Sequence, residues 1–160
     1  MKKVLAVLTC AMALTGCLGG EERKMKSVCE GIAKSQAANP KSVNLNEAAV
    51  TSREIGRADF VRNYYGTESG ISESAKAVMD IMFAESGKGA KQYAVEVDYT
   101  DSGQVSPSRD KATCIFIKYG DELSLTSFSI KGISVGKEKI FDYFLLNNLP
   151  KGISSTGVLD

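Results

Sequence analysis

Apolar residues recur at helical spacing in three stretches of this chain and alternate with polar ones in several others. From Met25 to Ala38, Met25, Val28, Cys29, Ile32, Ala33 and Gln36 follow one another at three- and four-residue steps. Lys26, Glu30, Lys34 and Ser35 lie around the other side, which predicts an amphipathic helix. Asn39-Pro40 ends it, because proline cannot extend the backbone ladder. A second stripe (Ala75, Val78, Met79, Met82, Phe83) predicts a helix over Ser74–Glu85, closed by Ser86-Gly87-Lys88-Gly89. A third (Ile140, Phe141, Phe144, Leu145, Leu149) predicts one over Lys137–Leu149, stopped by Pro150 and Gly152.

Strand spacing is clearest from Tyr93 to Tyr99, where Tyr93, Val95, Val97 and Tyr99 alternate with Ala94, Glu96 and Asp98. One face should be dry and the other wet. Ala112–Tyr119 is apolar on both parities, as a central strand is. Leu123–Val135 reads as one long strand whose parity switches twice. Bulges or bends near Ser127 and Gly132 would keep its apolar residues together. Val43 and Leu45 begin an earlier strand, and Ala48 and Val50 take the other parity, so a bulge or bend is expected there as well. Thr67–Ser72 and Thr100–Asp110 read as loops, and Tyr119-Gly120-Asp121-Glu122 as a turn.

Thr51–Tyr65 reads two ways. Thr51-x-x-Glu54 could open a helix as a capping box. The cluster Phe60, Val61, Tyr64 and Tyr65 and the interruption at Gly56 favour a strand over Asp59–Tyr65. The expected fold class is α+β: an antiparallel sheet of about four strands, with an N-terminal, a middle and a C-terminal helix packed on one face. Residues 25–153 form this single domain, and 154–160 a loose tail.

The start of the chain follows a different logic. Lys2 and Lys3 precede an apolar run from Val4 to Leu14, and then comes Leu14-Thr15-Gly16-Cys17. Eleven such residues are far short of the ~20 that span a bilayer. The segment resembles the signal peptide and lipobox of bacterial lipoproteins. That resemblance implies removal of residues 1–16, acylation of Cys17 (palmitate among the acyl groups) and a place in the cell envelope. Leu18 is not the aspartate associated with inner-membrane retention, so the resemblance favours the outer membrane, with the domain facing the periplasm. Residues 17–24 would then be a lipidated tether, Leu18–Lys24 being Gly-Gly followed by charge. Three other readings of the run stay open: an ordinary cleavage site at Ala11-Met12-Ala13, an uncleaved anchor and a buried helix. A looser resemblance, to small bacterial envelope domains of helix plus sheet, rests on the N-terminal helix, Asn39-Pro40-Lys41-Ser42-Val43 before the first strand, and Cys114 in a later one. It implies no function.

Of four cysteines, the resemblance places Cys10 in the leader and implies acylation of Cys17. An oxidising envelope would pair the remaining two, Cys29 with Cys114, clamping helix to sheet; two buried free thiols are the alternative. Without the leader's two lysines, 18 basic residues face 19 acidic ones. That balance offers no footprint for nucleic acid, nor a second, electrostatic hold on membrane. The chain has no histidine, which excludes Ser-His-Asp and Cys-His catalysis and histidine-ligated zinc.

Other candidate chemistry is sparse. Asp98-Tyr99-Thr100-Asp101-Ser102-Gly103 lacks the ligand spacing of a calcium loop, and Gly66–Gly70 and Gly87–Gly89 lack the sequence of a phosphate cradle. Asp121-Glu122 reads as a turn pair rather than a catalytic dyad. Arg62, Tyr64 and Tyr65 form a candidate binding patch, since Arg and aromatics dominate interface hot spots, against plain packing of a β segment. The methionine-bearing helix and Phe141–Leu146 could each meet a partner or simply pack. These features favour a non-catalytic, membrane-anchored binding or assembly module with an envelope protein partner, no metal and no cofactor. An inhibitor of a wall-degrading enzyme such as lysozyme and a carboxylate-dependent hydrolase are the alternatives.

Overall fold

The structure, a computed structural model, describes residues 18–37, 39–85, 89–103, 106–135, 137–147 and 150–154. The leader, Cys17 and the tail 155–160 lie outside the described residues. Among the described residues, four α-helices and six strands make a mixed α+β domain. The helices are α1 (Leu18–Ser35), α2 (Arg57–Tyr64), α3 (Glu73–Glu85) and α4 (Lys137–Leu146). The strands are β1 (Val43–Ile55), β2 (Ala90–Asp101), β3 (Ser108–Tyr119), β4 (Glu122–Ile130), β5 (Ile133–Ser134) and β6 (Ile153–Ser154).

Strands β1 to β5 lie side by side in chain order, each antiparallel to the next, and β6 adds to β4 in parallel. Two register shifts explain the parity switches. Asn46 is the extra residue between the pairs Leu45–Tyr99 and Glu47–Asp98. Thr126 is the extra residue between Phe116–Leu125 and Ile115–Ser127. Each bulge turns the rest of its strand over, so Leu45 shares a face with Val50, and Leu125 with Phe128. The switch near Gly132 has another cause. Lys131 and Gly132 both have positive φ, 54° and 76°, between the paired Ile130 and Ile133. This is a two-residue hairpin turn, so the single strand expected over Leu123–Val135 is in fact β4, a turn and β5.

Opposite parities of the same strands build two cores. Tyr93, Val95, Val97 and Tyr99 of β2, Cys114 and Phe116 of β3, and Leu125 and Phe128 of β4 pack under Met25, Val28, Cys29 and Ile32 of α1 and Ile140 of α4. Burial of each such large side chain is worth roughly 1.5–3 kcal/mol. Cys29 and Cys114 are joined here, S–S 2.03 Å and Cα–Cα 5.8 Å, so the bridge ties α1 to the centre of the sheet. Gly31 lets α4 close on α1, because a Cβ there would collide with the Tyr143 hydroxyl. The second core gathers Ile55, Ala90 and Ile117 from the opposite parity with Phe60, Val61, Ile71 and Met79.

Three expectations need correcting. Asp59–Tyr65 is not a strand: α2 occupies Arg57–Tyr64, with Gly56 as its extended N-cap. Glycine is tolerated at that position, and tertiary packing of Phe60 and Val61 overrides the β propensity of the cluster. Helices cover both faces rather than one, since α2 and α3 close one end of the second face. Leu18–Lys24, read as a tether, forms the first turns of α1, where Glu21 meets Lys118 of β3 at 2.5 Å.

Candidate interaction face

Away from α2 and α3, the second face of the sheet is open, and the strand register sorts its residues into transverse rows. Nearest the helices, Arg53, Gln92, Ile117 and Ser124 lie side by side, and both Ile117 and Ser124 are buried. The next row is Thr51, Ala94, Ile115 and Ser127, small or apolar and at least partly exposed. Ala49, Glu96, Thr113 and Ser129 form the third, and Glu47, Asp98 and Lys111 the fourth. The β3–β4 side of the face is buried near the helices, and charged residues lie at both ends of its β1–β2 side. A hollow of about 300 Å³ lies on it, lined by Thr51, Arg53, Gln92, Ala94 and Ile115 among others. A smaller one, about 110 Å³, lies among Glu47, Ala49, Glu96, Asp98 and Lys111.

Asp98 and Glu96, at the end away from the helices, are paired internally. Arg109 grips Asp98 with two nitrogens, Nε to Oδ1 and Nη2 to Oδ2, both at 2.9 Å. Asn46, freed from register by its bulge, donates to Asp98 Oδ1 at 2.8 Å. The hydrogen bond from Arg109 first, then that from Asn46, holds the Asp98 carboxyl at about 2. It stays ionised at neutral pH and has no proton to give as a general acid. Lys111 faces Glu96 at 3.7 Å. The arrangement can present alternating charges and a strip of hydroxyl and apolar side chains to another macromolecule.

The other acids singled out in the sequence are engaged in turns. Asp101 is buried and accepts from Ser42 Oγ at 2.6 Å and from the Gly103 N–H at 2.9 Å. Asn39 in turn caps the single turn Pro40–Ser42 by accepting from the Lys41 N–H. Asn39-Pro40-Lys41-Ser42 thus forms a joint that ties the start of β1 to the end of β2. Glu122 accepts from Ser124 and Ser154 across the β4–β6 pair. Among the described residues, no three His, Cys, Asp or Glu side chains are placed to hold a metal ion.

No protein-family model, curated protein or solved structure matches this chain. Its surfaces must be read on their own chemistry.

Of the candidate patch Arg62, Tyr64, Tyr65, two side chains are described. Arg62 is exposed and pairs with Asp59 one turn back, 3.1 Å away. Tyr65 is partly buried against the edge of Phe60, ring centroids 6.4 Å apart. The Tyr64 side chain lies outside the described residues. The methionine-bearing helix splits: Met79 is buried in the second core, while Val78 and Ile81 are exposed. So does α4, where Phe141 and Phe144 pack on the first core and Leu145 and Leu146 face solvent. No helix among the described residues is long and apolar enough to cross a membrane.

The open face as a continuous surface does not follow from the sequence alone. The wet parity of β2 was legible, but Arg109 and Lys111 fell in and beside a stretch read as loop. The signal was their alternation, two residues apart, with the Ser108–Tyr119 strand.

Proposed function

We propose that this protein is a lipid-anchored, non-catalytic binding or assembly module of the bacterial envelope, and that a protein partner docks on the open face of its sheet. Cys17 carries the lipid, the outer membrane is its place, and the domain faces the periplasm. The lipobox resemblance supports the anchor. The observation that carries the binding role is the row Thr51, Ala94, Ile115 and Ser127: small, partly exposed and flanked by charges, on a sheet whose other face is sealed. Edge charges suit specificity, and the partly exposed strip between them supplies area to bury.

The test is photo-crosslinking in intact cells. A photoreactive residue at Ser127 or Thr113 should give a discrete envelope adduct, and one at Lys26 on α1 should not. Crosslinks spread evenly over all three positions, or absent from the two open-face positions, would remove the assignment. The anchor is tested separately, with a fatty-acid probe that labels the natural chain and leaves Cys17→Ser unlabelled.

A further inference from the structure

The sheet has two edges, and they are treated differently. On the far side, β4 is covered at both ends, by β5 along Ser129–Ile130 and by β6 along Leu123–Ser124. On the near side, β1 pairs with β2 alone among the described residues. β1 is also long, 13 residues. It contains neither Lys nor Pro, the residues that most often blunt an edge. Its one bulge, at Asn46, protects only its start. From Glu47 to Ile55 it runs in unbroken register with β2, which leaves regular N–H and C=O groups along its outer side.

We propose that this edge pairs with the same edge of a second copy of the chain, antiparallel about a twofold axis at Val50. The charge pattern selects that register. A twofold perpendicular to the sheet sets residues of equal parity opposite one another, so the axis must pass through a residue. With Val50 at the centre, Glu47 stands opposite Arg53 of the second copy, and Arg53 opposite its Glu47. Ala49 then faces Thr51, Ala48 faces Ser52, and Val50 meets itself. Shifting the axis to Ala49 or Thr51 separates both charge pairs. Glu47 and Ala49 lie on the exposed parity, as does Arg53, whose side chain is 61 % exposed and reaches Gln92 and Asp59 of its own chain. The pairing joins two sheets into one and sets the two open faces side by side. It involves the strand edge alone and does not depend on the lipid anchor or on the partner proposed for the open face.

Charge exchange in the full chain, followed by sedimentation velocity and circular dichroism, tests it. Glu47→Arg alone, or Arg53→Glu alone, turns two attractive cross-strand pairs into two repulsive ones. Each should weaken the dimer about tenfold or more with an unchanged spectrum. The double exchange Glu47→Arg/Arg53→Glu should restore it. A natural chain that is monomeric at millimolar concentration overturns the proposal. So does a dimer indifferent to the single reversals, or single reversals that the double exchange does not repair. An intermolecular disulfide in Val50→Cys, found by mass spectrometry, is the second reading, and its absence from a dimeric sample counts against the axis.

Discussion

On one face of the sheet, Val95, Val97, Cys114 and Phe116 lie sealed beneath α1 and α4. Their immediate neighbours Ala94, Glu96, Thr113 and Ile115 are partly or fully exposed on the other. The two sets come from the same two strands and differ only in parity. The sealed face has a long helix, a cross-link and a glycine-mediated helix contact. The open face has ion pairs, which are worth little individually when exposed. Burial and exposure are thus assigned to alternate residues, and, on the proposed function, a change one position along β2 or β3 should move an effect from stability to binding.

The strongest way to break that contrast is to remove the cross-link. Cys29→Ala/Cys114→Ala should cost roughly 4–5 kcal/mol by the chain-entropy account of a loop this long, read as a lower midpoint in urea. Phe116→Ala should cost about 3–5 kcal/mol. Phe60→Ala, in the second core, should cost about 3 kcal/mol or more. Its signature should be local: faster hydrogen exchange through α2 and α3, with the β2–β3 amides still protected. Equal exchange throughout would mean that the two cores are one cooperative unit.

Smaller changes sharpen the comparison. Gly31→Ala should cost about 1–3 kcal/mol by pushing Tyr143 off α1, and Tyr143→Phe in the same chain should recover part of it, measured by thermal denaturation. Asp98 gives a pH dependence with a definite sign. Its folded-state value is depressed from 3.8 to about 2, so its contribution is present above the ordinary value and is lost as pH falls through that window. Arg109→Ala should return the Asp98 titration, followed by carbon NMR, toward 3.8. Least of all, Ser127→Lys should leave stability within about 0.5 kcal/mol while abolishing the crosslinked adduct.

Much of the sealed face was legible in the sequence. The stripe through Met25, Cys29 and Ile32 and the alternation from Tyr93 to Tyr99 each name one buried side, and they bring the two cysteines to a shared core. The parity switches in β1 and β4 were legible as bulges for the same reason. What was lost has local causes. Phe60, Val61 and Tyr65 suit a strand by composition, and only the second core, built from residues far apart in sequence, makes α2 preferable. Gly56 acts as a cap, which a rule that glycine breaks helices reverses. The pairing of Asp98 with Arg109 depends on register across the β2–β3 hairpin, which neither segment declares by itself. In Arg62, Tyr64 and Tyr65 composition suggested a patch, and of these the structure describes an exposed Arg62 and a partly buried Tyr65.

From Leu18, the first described residue, α1 runs without interruption to Ser35. Eighteen helical residues make a rod of roughly 27 Å, stapled to the sheet partway along and braced near its start by Glu21 and Lys118. A pull on the first turns of α1 would therefore be delivered to the middle of the sheet rather than to one of its edges.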